Sequence, residues 1–401
     1  MSSRQILASR VGPLGTTVFS EFSALALKHG AVNLGQGFPD FDGPDAVKEA
    51  AHQAILSGIN QYAPSVGLKV LREAIAEHGA RFHGQEGIDP DTMVTVTSGA
   101  TEAIFCVLLG LVDPGDEVVA FEPFYDSYDA NIAFVGARPR YVPLRPPDAT
   151  HATWWFDRDE VRAAFGPRTR LLILNTPHNP TGKVFTREEL AFLAELCAEH
   201  DVKVLSDEVY EHIVFAPARH VRAATVPGLA ERTVTVSSGG KSFSFTGWKV
   251  GWIIAPPALR DAVQRAHQFV TFATASPLQA AMAVALRLPD TYFEQLRAQY
   301  LARRERLLAG LAQAGLKAHV PEGSYFILAD ISGQGLGDDV AFCRHLVTRV
   351  GVAAIPPSVF YAPEHRHLGQ GMARFAFCKS DAILDDAARR LKDGLSPRRA
   401  G

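Results

Sequence analysis

The chain has 401 residues, of which 47% are hydrophobic and 21% charged, and its formal net charge is −3. This balance is typical of a globular protein with a large core, and the lack of a basic excess argues against nucleic-acid binding. No apolar run approaches the ~18 residues of a membrane span, and the N-terminal segment MSSRQILASRVG has no apolar signal region, so we expect no membrane association.

The cysteines are isolated from one another in the sequence, at Cys106, Cys197, Cys343 and Cys378. Their spacing matches neither a zinc site nor a disulfide framework. We therefore expect free thiols, no metal centre and a reducing, cytoplasmic location.

The N-terminal part of the chain predicts helices separated by loops. TTVFSEFSALALKHG carries apolar residues at helical spacing within residues 1–30, and VNLGQGFPDFDGP after it reads as a short strand and an irregular loop. Phe38 and Phe41 in that loop suit either a cleft wall or a plain connection. Helices are predicted over residues 45–57 and 68–82, and the loop between them, NQYAPSVG, contains Tyr62.

From residue 92 the pattern changes to short apolar runs that alternate with helical stretches. The runs are MVTVTS, EVVAFE, LLILNT, VKVLSD, TVTVSS and GWIIAP. This rhythm predicts an α/β fold with a mostly parallel sheet and helices on both of its faces. Ligands of such sheets bind beyond the carboxyl ends of the strands, so the residues after each run are the candidate site residues.

The first two runs are followed by a glycine turn and an aromatic side chain. Gly99 allows a tight turn, and Ala100 and Thr101 then open a helix whose free N–H groups could bind an anion. Tyr125 could stack on a flat ring or belong to the core. The first feature is common in α/β proteins and is weak by itself.

The next two runs are followed by polar side chains. Asn179 lies in PHNPTGKVF, a turn that two prolines make rigid. Asp207 ends the following strand and Tyr210 comes three residues later. Asp207 could cap a helix, or it could hold a protonated ring nitrogen while Tyr210 donates to a ring oxygen.

The fifth run leads into the stretch SSGGKSFSFTGWKVGW, which predicts a reactive lysine. Gly239 and Gly240 permit an abrupt change of direction at the strand end, and Lys241 follows at once. Burial would lower the pKa of its amine and free it to attack a carbonyl. Ser238 and Lys249 flank it and suit a phosphate. The alternative is a glycine turn with two surface lysines.

The C-terminal part predicts two helices around a small-residue break after residue 255, then a long charged helix over residues 290–314. Strands in KAHVPEGSYFILADIS and a helix over residues 339–349 indicate a second domain. Arg374 lies on the alternating strand MARFAFCKSD. It points either to solvent or inward, where its guanidinium could bind a carboxylate.

Seven segments together resemble the class I/II aminotransferases, which are pyridoxal-5′-phosphate enzymes of fold type I. They are VNLGQGFPDF, NQYAPSVG, NTPHNPTGKVF, SDEVYEHIVF, SSGGKSFSFTGWKVGW, PEGSYFILAD and RFAFCKSD, and the likeness covers nearly the whole chain. The resemblance implies a large cofactor-binding domain over residues 46–285 with a seven-stranded sheet. It also implies a smaller α+β domain over residues 286–401, and an N-terminal arm over residues 1–45 that partly joins it.

The resemblance also implies roles at the cofactor. Lys241 would bind its aldehyde carbon covalently and act as the catalytic base, and Asp207 would pair with its ring nitrogen. Asn179 and Tyr210 would bond its phenolic oxygen. The residues expected to hold the phosphate or stack on the ring are Gly99, Ala100, Thr101, Ser238, Lys249 and Tyr125.

On the substrate side, the resemblance implies that Arg374 binds the α-carboxylate, with Gly37 and Phe19 nearby and Asn179 shared with the cofactor. Tyr62 would reach the phosphate of a neighbouring subunit, which implies a homodimer with sites at the interface. An intact Lys241 argues against a non-catalytic regulator on the same fold.

Within the family, the chain is most similar to a subgroup of kynurenine/glutamine, methionine and N-succinyldiaminopimelate aminotransferases. Phe19 and Ala273 stand where the kynurenine enzymes carry Trp and His. The predicted activity is ping-pong transfer of an amino group between an L-amino acid and a 2-oxo acid, with N-succinyldiaminopimelate and 2-oxoglutarate as the leading pair. The alternative is a kynurenine, glutamine or methionine aminotransferase with cysteine-S-conjugate β-lyase activity.

Overall fold

The computed structural model describes residues 6–12 and 14–395, so the first five residues and Pro13 of the predicted lead-in lie outside it. The helices are α1 (Val18–His29), α2 (Asp45–Leu56), α3 (Lys69–His83), α4 (Gly99–Leu111), α5 (Asp126–Phe134), α6 (Arg158–Ala164), α7 (Arg187–Glu199), α8 (Gly239–Ser242), α9 (Pro257–Val270), α10 (Ser276–Leu286), α11 (Asp290–Gln313), α12 (Asp339–His345) and α13 (Asp381–Leu395). The strands are β1 (Val32–Asn33), β2 (Val94–Thr97), β3 (Glu117–Glu122), β4 (Arg138–Pro143), β5 (Thr169–Asn175), β6 (Lys203–Asp207), β7 (Thr233–Ser238), β8 (Gly251–Ile254), β9 (Lys317–His319), β10 (Phe326–Asp330), β11 (Val352–Ala353) and β12 (Met372–Ala376).

Seven strands form the central sheet in the order β2-β8-β7-β6-β5-β3-β4. Only β8 runs antiparallel to its neighbours. Strands β2, β3, β7 and β8 are buried along their whole length, as expected for a sheet covered on both faces. The predicted α/β fold with a mostly parallel seven-stranded sheet is therefore confirmed.

Helices cover both faces of this sheet. Residues of α4, α5 and α9 pack with β3 and β7 in one apolar cluster, as Val107, Ile132 and Val263 illustrate. Residues of α6 and α7, such as Val161 and Leu190, pack in a second cluster on other strand residues. Because both faces are closed, the ends of the strands are the open part of the sheet.

A smaller antiparallel sheet is built by β12, β10 and β9, and β1 pairs in parallel with β11. The second pairing brings the N-terminal segment against the C-terminal part of the chain. This arrangement fits the predicted domain division, whose boundaries remain a prediction. None of the helices within residues 6–12 and 14–395 is both long and apolar enough to cross a bilayer.

Two elements differ from what the sequence pattern predicts. Strand β4 was not predicted, because its sequence RPRYVP contains two prolines and half of it is exposed. It is the edge strand of the large sheet, where a missing N–H group is tolerated. The helix predicted over residues 339–349 is α-helical only to His345 and continues as a π-helical turn, Leu346–Val350.

Candidate active site

A cavity of about 320 Å³ lies at the carboxyl ends of the sheet strands. Of the residues that the resemblance assigned to the cofactor or the substrate, all but Tyr62 line it: Phe19, Gly37, Gly99, Ala100, Thr101, Tyr125, Asn179, Asp207, Tyr210, Ser238, Lys241, Lys249 and Arg374. The structure thus brings together side chains that are up to 355 positions apart (374 − 19). Their chemical roles remain predictions.

Lys241 enters the cavity from α8, the single helical turn that follows β7. Neither preceding glycine has a positive φ, so the turn does not require glycine for its backbone conformation. A Cβ on Gly239 would lie 2.2 Å from the Met282 methyl carbon, so a larger residue there would require the end of that flexible side chain to move.

The Lys241 amine makes only weak contacts within the cavity. Its Nζ donates to the Gly37 carbonyl at 3.4 Å and lies 5.7 and 5.6 Å from the rings of Tyr210 and Tyr325. The Tyr325 hydroxyl donates to the same carbonyl at 2.5 Å. Burial lowers the pKa of Lys241, although nearby Asp207 opposes this shift. A larger share of neutral, nucleophilic amine follows.

Asp207 is a buried carboxylate at the end of β6. Its Oδ2 accepts from the Tyr128 hydroxyl at 2.7 Å, and its Oδ1 accepts from Val209 N at 3.3 Å. Burial raises the pKa of Asp207 to about 6. A turn and not a helix follows β6, so the helix-capping alternative does not hold. Tyr128 was not singled out from the sequence, although it lies only three residues after Tyr125.

Asn179 is positioned by the end of the neighbouring strand. Its backbone N–H donates to Asn175 Oδ1 at 2.7 Å, and Asn175 Nδ2 donates to the Asp207 carbonyl at 2.9 Å. The ends of β5 and β6 are therefore tied together by an amide side chain. This fixes the predicted ring-binding residues Asn179 and Asp207 relative to each other.

Arg374 points inward, which settles the choice that its alternating strand left open. Its side chain is 1% exposed. Nη2 donates to the Gly35 carbonyl at 2.7 Å and Nη1 to Asn179 Oδ1 at 3.2 Å, while Nε has no hydrogen-bond partner. Burial lowers the pKa of Arg374 to about 10, so it remains a cation at neutral pH. An incomplete set of partners on a buried guanidinium suits a substrate carboxylate.

The predicted anion turn has the required backbone. Gly99 has a φ of +77° and begins the 13-residue helix α4. Lys249 Nζ lies 3.5 Å from the Thr101 hydroxyl. A Cβ on Gly251 would lie 2.6 Å from the Gly99 carbonyl carbon, so the strand beside the turn has no room for a side chain there. A helix N-terminus beside an ammonium group suits a phosphate.

A buried histidine braces this turn. Glu102 accepts from Ser98 N at 2.7 Å and from His267 Nδ1 at 2.7 Å, and His267 Nε2 lies 2.7 Å from the Ser65 carbonyl. His267 thus lies between a carboxylate and a carbonyl, each within hydrogen-bond distance of one ring nitrogen. The brace joins the turn to the loop that carries Tyr62.

Tyr62 itself does not line the cavity of its own chain. It is 85% exposed, and its ring meets Phe272 edge-on at 5.4 Å. Ala273, next to Phe272, also lies outside the cavity lining. Within a single chain, the presence of Ala in place of His at this position therefore does not change the cavity lining.

The two aromatics of the N-terminal loop separate. Phe38 lines the cavity, whereas Phe41 packs against Tyr300 and under the Arg303 guanidinium at 4.1 Å. Phe326 is a further lining residue, and Arg374 lies 4.3 Å over its ring. Sequence analysis passed over Phe326 because it lies in an ordinary buried strand.

Comparisons with known proteins identify the family of the chain. The family model "Aminotransferase class I and II" matches residues 29–391. A probable N-succinyldiaminopimelate aminotransferase of Mycobacterium tuberculosis is 48% identical over 389 residues, 96% of this chain and 97% of the relative. A solved structure of the N-succinyldiaminopimelate aminotransferase from that organism has a TM-score of 0.93 over 96% of this chain and 99% of its own.

Two further relatives have other names. The methionine aminotransferase of Escherichia coli is 43% identical over 384 residues, which is 96% of this chain and 97% of the relative. A kynurenine–oxoglutarate transaminase of Dictyostelium discoideum is 40% identical over 415 residues, with 96% and 95% covered. The predicted family, subgroup and enzyme class are confirmed: the chain belongs to the class I and II aminotransferases and is a transaminase of fold type I.

Proposed function

We propose that the 320 Å³ cavity binds pyridoxal 5′-phosphate and an amino acid together. The observation that supports this best is the set of three groups that line it: the Lys241 amine, the Asp207 carboxylate and the Arg374 guanidinium. A buried acid without a cationic hydrogen-bond partner and a buried guanidinium with a free N–H group are both costly to keep in a protein. Each gains a partner when cofactor and substrate bind.

The residues present fit this cofactor. The turn at Gly99 with Lys249 beside it suits the phosphate. A ring N–H⁺ next to Asp207 would offset the burial of that carboxylate, because an opposite charge favours the ionised form. When bound, the cofactor supplies an electron sink that acidifies the substrate Cα.

The side chains of this chain then have distinct tasks. Arg374 would bind the substrate α-carboxylate through its free N–H group and so orient Cα towards Lys241. The Lys241 amine, with its lowered pKa, would take the Cα proton and deliver it on the same face. The Tyr210 hydroxyl and the Asn179 amide would donate to the cofactor's ring oxygen, and Tyr125 would cover the ring.

We further infer a homodimer whose sites are completed across the interface. Tyr62 and Phe272 form an exposed aromatic pair, and Phe269, on α9, is 87% exposed. Large aromatic side chains on an open surface are typical of protein–protein contacts. The sedimentation coefficient of the purified protein tests this state. The cysteines of the described residues are free and buried, which suits the reducing cytoplasm we infer as its location.

The substrate we propose is N-succinyl-LL-2,6-diaminopimelate. Glutamate and 2-oxoglutarate would form the second amino-acid and 2-oxo-acid pair of the reaction. The support is the name of the 48% identical relative. A second support is an outer cleft of about 1480 Å³ that shares Tyr125 with the inner cavity. Arg140 and Arg366 line this cleft and are exposed. They are the candidates for a distal carboxylate on a long substrate.

A substrate panel tests the assignment. We expect kcat/KM for the succinylated diamine to exceed that for kynurenine, methionine and glutamine when all are measured with one 2-oxo acceptor. A tenfold or greater advantage of any of these three would contradict the assignment. Pyruvate and free thiol released from a cysteine conjugate would instead reveal the β-lyase activity.

Replacing Arg374 by Gln should weaken amino-acid binding without affecting cofactor binding. Removing one partner of a buried ion pair costs roughly 3–5 kcal/mol, so KM for glutamate should rise on the order of 100-fold or more. The cofactor Kd, measured by fluorescence quenching, should stay within about twofold, because we assign Arg374 no cofactor contact. Exposed Arg349, replaced by Gln, is the matched control. An unchanged KM would remove Arg374 from the substrate site.

A further inference from the structure

Three histidines and a glutamate converge below the loop that carries Asp207 and Tyr210. His78 and His83 come from α3, and Glu211 and His212 come from the turn after β6. Each offers one possible ligand atom, and these atoms all lie within 4.8 Å of one another. All four side chains are buried. We call these four residues the His/Glu cluster.

The three imidazole rings of the cluster lie close to one another. Their centroids lie 4.9 Å (His78–His212), 5.6 Å (His78–His83) and 5.7 Å (His83–His212) apart. A tetrahedral zinc ion with nitrogens at about 2.0–2.1 Å requires nitrogens about 3.3 Å apart, and ring centres a little over 5 Å apart. The observed ring spacing thus matches a three-histidine centre.

The ligand atoms themselves are slightly too close together for a metal. His78 Nε2 lies 2.8 Å from His212 Nε2, and His83 Nε2 lies 2.9 Å from Glu211 Oε2. Each separation would open by a few tenths of an ångström on metal binding. Such a change is within the reach of side-chain rotation alone.

His83 is connected to the cluster through Glu211. Its Nε2 is buried and lies 2.9 Å from Glu211 Oε2. A metal ion at the centre of the cluster would bind both atoms in place of this direct contact.

The fixed charges around the cluster also suit a cation. Arg222 bonds Glu211 and lies 3.3 Å from Glu208, which also pairs with His220 at 2.8 Å. The two carboxylates therefore outnumber the one guanidinium.

We propose that the His/Glu cluster binds one divalent transition-metal ion, with zinc as the best match. Three imidazoles and one carboxylate favour zinc, nickel, cobalt or copper over magnesium and calcium. With four protein ligands, the site is closed and therefore structural and not catalytic. This site was not predicted from the sequence, because it contains no cysteine and its two pairs of ligands are about 130 positions apart.

The ion would stabilise the loop behind the candidate active site. Glu211 Oε1 accepts from the Ser237 hydroxyl at 2.7 Å, on the strand whose end leads to Lys241. Tyr210 directly precedes Glu211. A metal ion in the cluster would thus join α3, the loop after Asp207 and strand β7.

The test uses untagged, cofactor-loaded protein that has been treated with a chelator and then freed of it. Titration with Co²⁺ should give the intense visible bands of tetrahedral cobalt, saturating at one ion per chain. Zn²⁺ should displace the cobalt and raise the thermal midpoint, because a ligand that binds only the folded state stabilises it. Absence of the cobalt bands in the wild-type protein overturns the proposal.

Variants locate the site. His83→Gln removes one ligand but keeps an amide that can donate to Glu211, so this variant should fold. It should lose at least about 100-fold in zinc affinity, since even outer partners of metal ligands are worth 10–100-fold. His52 is an exposed residue of α2. His52→Gln is therefore the matched control and should bind zinc like the wild type. Equal zinc affinity and stoichiometry in the His83 variant and the wild type would contradict the proposal.

Discussion

Replacing Lys241 by Ala should abolish steady-state transamination and slow the half-reaction with glutamate by about 10²–10⁴-fold. This is the usual contribution of a positioned general base. Single-turnover absorbance measures that rate. Lys249→Ala is the contrasting variant, because we expect it to weaken cofactor binding through the phosphate and to leave the chemical rate less affected.

Two further measurements identify what Lys241 does. Borohydride reduction followed by digestion should place the pyridoxyl mass on Lys241 of the wild type and on no lysine of the variant. Added methylamine should restore part of the variant's rate, because a small amine can enter the space that the side chain leaves. A pyridoxyl label on another lysine of the wild type, or a near-normal rate in the variant, would refute the assignment.

Asp207→Asn should lower kcat by about 100-fold or more, as the loss of other preorganised electrostatic groups does. Asn has nearly the same shape and can still accept from Tyr128, so the main loss is the negative charge, together with the long 3.3 Å bond from Val209 N. The exposed Asp159→Asn on α6 is the matched control. Retention of more than about a tenth of the activity would contradict the role of Asp207 at the ring nitrogen.

The same variant should not destabilise the cofactor-free protein. The pKa of Asp207 rises from 3.8 to about 6 on folding, because burial disfavours the charged form. Its contribution to stability is therefore fully present below pH ~4 and is lost as pH rises through ~6. Neutral Asn lacks this pH dependence, so at pH 7 the melting temperature of the variant should equal or exceed that of the wild type. A lower melting temperature at pH 7 would show that the carboxylate is structural.

The fold class and most residues of the candidate cavity could be predicted from the sequence. Buried strands and their helices follow from short-range patterns of apolar residues, so the six apolar runs coincide with observed strands. Parallel strands present their carboxyl ends at one edge. For that reason Gly99, Asn179, Asp207 and Lys241, each just at or after a strand end, line one cavity.

Which side chains from distant parts of the sequence contact these residues depends on tertiary packing. Tyr128 reaches Asp207 from 79 positions away, and the inward direction of Arg374 depends on how β12 packs on the rest of the protein. The His/Glu cluster joins α3 to a loop about 130 positions later. Local periodicity shows that a side chain is buried, but its partners depend on the packing of distant segments, which no short stretch of sequence encodes.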